Sequence, residues 1–215
     1  RQMCIRDSFC VSSPVHRRVR VGPETDANRA PTNGDNDSFP CYLCAGEPKH
    51  CPPMPAFIEG NPVLVVIDIM GSGDPDDQEP SGIPYMGGQE QLIDRTIPVI
   101  EAAKANQVPV VYIIEVHRPD HIDFGRELDG SEDVHDIEGR PGTRIHPRLP
   151  YRESDYLIPK RRYSAFFGTD LEILLKGLKA DTQILCGELT DVCVHYTFVD
   201  ALQQNYYTRV IEDCV

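Results

Sequence analysis

The chain has 215 residues with 21 Lys+Arg against 34 Asp+Glu, a formal net charge of −13, and 40% hydrophobic residues, which is enough apolar material for the core of one ordinary globular domain. The acidic balance argues against nucleic acid as a partner, because phosphate-backbone binding runs on Lys/Arg contacts and counterion release. Mean hydropathy is −0.36, and apolar runs such as Val63–Ile67 fall far short of the roughly 20 residues that cross a bilayer, so no membrane partner is expected.

The chain opens RQMCIRDS. The codons AGA CAG ATG TGT ATA AGA GAC AGN encode that string, which resembles a translated transposon-end adapter, so residues 1–8 are set aside from fold reasoning. The start lacks the apolar stretch and cleavage site of a secretory signal, which points to a cytoplasmic protein. Residues 9–56 carry Pro14, Pro23, Pro31, Pro40, Pro48, Pro52, Pro53 and Pro55 with no sustained periodicity, the pattern of a proline-rich extension. Within it Cys41, Cys44, His50 and Cys51 are zinc-type ligand residues, yet their spacing matches no common finger, and unpaired thiols in a tail are the simpler reading.

From residue 57 onward, strands alternate with amphipathic helices, which is the pattern of a parallel α/β sheet. Val63–Ile69 reads as a buried strand containing Asp68, and Gln89–Asn106 as a helix that Pro98 kinks or divides. Val110–Val116 is a second strand. The polar stretch His117–Glu153 has no clear element, and loops of that length are usually functional or mobile. Asp155–Pro159 reads as a third strand and Thr169–Lys179 as a helix with a Thr169/Glu172 capping box. Thr182–Gly187 is a fourth strand, Asp191–Asn205 a helix, and Thr208–Ile211 the start of a fifth strand.

Ligands bind such sheets at the carboxyl ends of the strands. Asp68, Lys160 and the turn Gly187–Cys193 fall there. Cys193 is placed about three residues into its helix, where unpaired N–H groups and the dipole favour thiolate and can hold an oxyanion. Asp68 could accept the thiol proton and Lys160 could stabilise both. Spacing alone leaves the plain alternatives open: a capping Asp, a solvated Lys and a core Cys.

Three segments, VLVVIDIM with Asp68, IPKRRYSAFFGTDLE with Lys160 and GELTDVCVHYTFVDA with Cys193, together resemble the isochorismatase-like cysteine hydrolases, which include nicotinamidases, N-carbamoylsarcosine amidases, ureidoacrylate amidohydrolases and biuret hydrolases. The resemblance implies a three-layer, doubly wound, mainly parallel sheet over 57–215, cut off at its last strand. It also implies an Asp68–Lys160–Cys193 triad, a cis peptide at Glu188–Leu189, and an oxyanion hole from the N–H groups of Leu189 and Cys193. The implied activity is hydrolysis of a C–N bond in a small amide or ureido compound through a thioester, with no cofactor required, in a homo-oligomer (dimer or tetramer). Two alternatives stand beside it: vinyl ether hydrolysis of the isochorismatase type, which needs no cysteine, and a member that has lost catalysis and acts as a binding partner.

Nicotinamidases carry a metal site beginning Asp-x-His; here the pattern is Glu115-x-His117 followed by His121, so Zn or Mn is a weaker expectation, and a polar loop with incidental histidines is the simpler one. Arg161, Arg162, Tyr163 and Phe166 follow Lys160 and are candidates for substrate contact, the arginines suiting a carboxylate-bearing substrate. Arg126, Arg140 and Arg144 in the long loop, with Tyr85 and Phe167, complete the candidates.

Overall fold

A run such as VLVVI is apolar on both faces of a strand, so it is stable only in a sheet covered on both sides. The computed structural model describes residues 57–73, 87–130 and 132–215. The expectations about residues 1–8, the proline-rich segment, the Cys41, Cys44, His50 and Cys51 set, and Tyr85 lie outside the described residues. The described elements are β1 (Pro62–Ile67), α1 (Gln89–Ala105), β2 (Val110–Glu115), β3 (Tyr156–Lys160), α2 (Leu171–Gly177), β4 (Thr182–Gly187), α3 (Cys193–Gln203) and β5 (Tyr207–Val210), with short 3₁₀ turns at Glu127–Asp129 and Glu212–Cys214. All four strand pairings are parallel, in the order β3-β2-β1-β4-β5. No helix among the described residues is long and apolar enough to cross a membrane.

Period-two alternation divides each strand between two cores. Val63, Val65 and Ile67 join Val111, Ile113, Ile158 and Leu185 against Leu171 and Leu175 of α2 and Val194 and Ala201 of α3. Leu64 and Val66 join Val110, Tyr112 and Cys186 against Leu92, Ile93 and Ile100 of α1. The result is the three-layer α/β arrangement. Each fully buried Leu, Ile or Val contributes roughly 1.5–3 kcal/mol relative to exposure. That burial explains why Pro98 does not divide α1: the helix runs unbroken from Gln89 to Ala105, held by its apolar stripe although one backbone hydrogen bond is lost.

The chain builds outward from β1 to β2 and β3, then returns to lay β4 on the other side of β1. The strand order therefore reverses between β1 and β4, and a crevice opens outside their carboxyl ends. Asp68 follows β1 and Cys193 follows the turn after β4, so both flank this crevice. Close approach there demands glycine at the end of β4. Gly187 has φ +120°, and a Cβ on it would overlap the Ile67 carbonyl oxygen. Gly187→Ala is expected to cost about 3 kcal/mol or more, read as a lowered midpoint in urea; an unchanged midpoint would contradict the close approach.

Several boundaries differ from the sequence expectation, and three of them move site residues. Asp68 lies just past β1 with φ 51°, outside the extended strand. β3 runs one residue further, so Lys160 is its last residue. α3 begins at Cys193, which makes the cysteine the first helical residue. The Thr169/Glu172 capping box does not form: Asp170 is the cap position of α2, without a side-chain cap bond. Thr169 instead donates to the Ala165 carbonyl and accepts from the Leu171 N–H. The long polar stretch between β2 and β3 is packed, with Phe124, His135, Ile137, His146 and Leu149 all buried.

Candidate active site

Parallel register accounts for the first contact of the site. β2 and β3 pair so that Glu115 faces Lys160 at their carboxyl ends, and the two side chains point to the same face. Lys160 is 0% exposed, and a buried ammonium is stable only when paired and hydrogen-bonded. It is paired twice: Nζ donates to Glu115 Oε2 and lies 2.8 Å from Asp68 Oδ2. Its third direction meets Cys193 Sγ at 3.3 Å. Glu115 Oε2 lies 3.6 Å from the same sulfur, and ligand atoms of Asp68, Glu115 and Cys193 all fall within 4.8 Å of one another. The sequence marks Glu115 only as a metal candidate; the structure places it against Lys160 and Cys193 as well.

The surroundings push the two carboxylates apart. Burial raises Asp68, the nearby Glu115 charge adds to it, and Lys160 opposes; the result is a pKa of about 7. Burial also works against Glu115, but the Lys160 ammonium and hydrogen bonds from His117, His135 and Lys160 outweigh it and hold that carboxyl well below the usual range. Burial would neutralise Lys160, yet Asp68 and Glu115 keep it charged. Cys193 is pushed well up by burial and by Asp68, with Lys160 opposing. Its resting form is therefore the thiol, which corrects the expectation that the helix start alone would favour thiolate: desolvation outweighs the dipole at a buried sulfur. Asp68, near neutrality, is suited to exchange a proton with it.

The Glu188–Leu189 peptide following β4 is cis. The Leu189 carbonyl accepts from the N–H groups of Val192 and Val194, which folds this turn onto the start of α3.

A second cluster adjoins the first through Glu115. Its Oε1 lies 3.2 Å from His117 Nε2 and 3.9 Å from His135 Nε2, and Glu127 Oε1 lies 3.5 Å from His117 Nε2. All four residues are buried and offer ligand atoms within 4.8 Å of one another. Two imidazoles and two carboxylates suit Zn²⁺ or Mn²⁺. Glu127 Oε1 is buried without a hydrogen-bond partner among the described residues, and His135 Nδ1 meets the Asp133 carbonyl, the outer bond that frees Nε2 to ligate. The residues present fit a divalent cation. His121, the third candidate from sequence, is exposed and packs edge-on to Phe124 outside this group, whereas Glu127 and His135 carry no recognisable spacing. Zn²⁺ or Mn²⁺ titrated into chelator-treated protein is expected to bind one ion per chain by calorimetry, with affinity lowered at least about 10-fold by Glu127→Gln or His135→Ala; equal affinity in both variants would contradict the assignment.

Beside this cluster is a cavity of about 440 Å³ lined by Phe124, Gly125, Arg126, Glu127, Arg162 and Tyr163. Arg162 and Tyr163 are thus brought to a pocket wall. Arg161 is not among its lining residues: its guanidinium donates to the Val116 carbonyl and lies 3.0 Å from Asp123. Phe166 packs on the core and stacks with Tyr206. Arg126 projects into solvent and pairs with Asp129.

Residues 56–215 match the family model for the isochorismatase domain. The chain belongs to the isochorismatase family. It is 29% identical to a probable inactive nicotinamidase of Arabidopsis thaliana, over 68% of this chain and 75% of that protein. With a ureidoacrylate amidohydrolase of Methylorubrum extorquens it shares 26% identity over 57% of its own length, spanning 56% of that enzyme. Among solved structures, the N-carbamoylsarcosine amidase of Thermoplasma acidophilum superposes with a TM-score of 0.60 at 29% identity, covering 73% of this chain and 84% of that one. The pyrazinamidase of Pyrococcus horikoshii in complex with zinc gives 0.59 at 26% identity, covering 73% and 86%.

Proposed function

We propose that this chain hydrolyses a C–N bond in a small linear amide or ureido compound, with Cys193 as nucleophile. The observation that carries this reading is the convergence of Asp68, Lys160 and Cys193 at the strand-order reversal, with Lys160 Nζ 2.8 Å from the carboxylate and 3.3 Å from the sulfur. The amidase names among the relatives support the same class of reaction.

Asp68 takes the thiol proton as Sγ attacks the carbonyl carbon, and Lys160 offsets the negative charge that moves between sulfur and carboxylate. The backbone N–H groups of Leu189 and Cys193 receive the tetrahedral oxygen. Asp68 returns the proton to the departing nitrogen, releasing ammonia or an amine and leaving an S-acyl enzyme. Water then attacks the thioester with Asp68 as base, freeing the acid and restoring the thiol. Glu115 stays ionised throughout and anchors Lys160 between the two carboxylates. A divalent cation held by Glu115, His117, Glu127 and His135 would supply Lewis-acid character at the pocket, and Arg162 and Tyr163 would line the substrate's path from the adjoining cavity.

Ammonia release screened over nicotinamide, N-carbamoylsarcosine, biuret and ureidoacrylate tests the reading. Turnover of at least one, together with iodoacetamide labelling of Cys193 faster than of Cys186, supports it. Failure of Cys193 to label faster than Cys186 overturns the nucleophile assignment.

A further inference from the structure

The proposed reaction needs Asp68 and the Leu189 N–H held at a fixed separation, although they sit on different strand ends. Beyond the β1–β4 ladder, which ends at the Ile67 and Gly187 pair, a backbone bond joins these segments from the Glu188 N–H to the Ile67 carbonyl at 2.9 Å. The chain after Asp68 is held on its far side by the antiparallel bridge between Met70 and Ile145. On the near side a third element intervenes. Gln89, the first residue of α1, directs its amide Nε2 to Glu188 Oε1 at 2.7 Å and to the Met70 carbonyl at 3.3 Å. Its two acceptors stand two residues after Asp68 and one residue before Leu189. The Glu188 carboxylate that it meets has its pKa raised by burial, with the Gln89 bond opposing, so the Gln89 amide is the polar partner that keeps this carboxylate in place beside the turn.

We infer that Gln89 is a positioning residue for this reaction: its side-chain amide ties the segment carrying the general base to the turn carrying the oxyanion donor. The inference rests on the function proposed above. A glutamine is suited to the task because a single NH₂ group has two N–H donors, one for each acceptor. Asparagine, one methylene shorter, cannot span both from the same backbone site. Glutamate at this position would set carboxylate against carboxylate.

The test compares the full chain with Gln89→Ala, Gln89→Glu and the double variant Gln89→Glu/Glu188→Gln, using whichever of the four amides above the unaltered protein turns over fastest. Displacing an oxyanion donor acts on the transition state, so Gln89→Ala is expected to lower kcat about 10-fold while KM stays within about 2-fold. Gln89→Glu is expected to lose more. The double variant exchanges the two side chains and restores a bond between α1 and the turn, but a carboxylate at position 89 has no proton to give the Met70 carbonyl, so the variant is expected to lose the carboxylate repulsion and stay near the kcat of Gln89→Ala. Gln89 lies on the exposed start of α1, so Tm should move little. Alkylation by iodoacetamide forms no oxyanion, and its rate at Cys193 should stay within about 2-fold in Gln89→Ala. Unchanged kcat in Gln89→Ala with normal Cys193 labelling would overturn this inference and leave the proposed reaction standing. A kcat loss matched by a fall in Tm would overturn it too, since that marks a merely structural role, and so would parental kcat in the double variant, since that would show the bond to the Met70 carbonyl to hold nothing in place. Absence of selective Cys193 labelling in the unaltered protein would remove the reaction itself, and the inference with it.

Discussion

Cys193→Ala is expected to reduce amide turnover by about 10⁴-fold or more while leaving the protein folded, measured as kcat/KM for ammonia release. The size follows from the mechanism: no other described side chain at the crevice offers a nucleophile, and Asp68 alone would have to activate water against an unactivated amide. The folded state should tolerate the change, because alanine fits the space and has a good helix propensity at the first residue of α3. Cys193→Ser is a sharper probe. The hydroxyl keeps the shape and its proton can still pass to Asp68, but alkoxide is far harder to generate than thiolate, so the variant should remain far below the parent. Turnover in Cys193→Ala within a few-fold of the parent would rule out covalent catalysis at this sulfur and favour direct attack by water.

Lys160→Met is the second large effect, and it acts on stability as well as chemistry. Lys160 is the cation between two buried carboxylates. Its removal leaves Asp68 and Glu115 facing each other without compensation, an arrangement that costs about 3–5 kcal/mol when one partner of a buried pair is deleted. The chain then has to protonate one carboxylate, and Asp68, already at about 7, is the one that yields. A protonated Asp68 cannot take the thiol proton, so turnover should fall by about 10²–10³-fold even at temperatures where the variant stays folded. Urea unfolding and kcat/KM measured on the same sample separate the two effects. A variant with parental stability would show that the ion cluster contributes nothing to the fold, and one with parental turnover would show that Lys160 is a spectator.

The sheet is legible in the sequence because VLVVI, VVYII and the ILC of TQILCG are apolar on both faces and have few alternatives to a buried parallel strand. The three site segments are legible as motifs. What periodicity does not give is geometry at the ends of elements. Whether Lys160 ends β3 or follows it changes which face its side chain takes, and that single residue decides whether it meets Glu115 across the register. Glu115 itself is readable in principle, as the last residue of a strand parallel to the one ending in Lys160, but only once the two are known to be neighbours. Glu127 and His135 have no such route. They lie in a stretch with no regular period, and the packing of Phe124 onto His117, with ring centroids 3.8 Å apart, is one of the contacts that hold that stretch against the end of β2. The resting state of Cys193 escapes the sequence for a similar reason: the dipole is visible there, whereas the desolvation that outweighs it is a property of the packed site.

A covalent acyl intermediate on Cys193 is the step on which the rest depends, and rapid acid quench of the reacting protein followed by peptide mass spectrometry addresses it directly. The Cys193 peptide is expected to gain the mass of the acyl half of the substrate within the first turnover, hydroxylamine to remove it, and Cys186 and Cys214 to remain unmodified. Full turnover of the amide with no acyl mass at Cys193 at any quench time, under conditions where a synthetic thioester survives the quench, would contradict it.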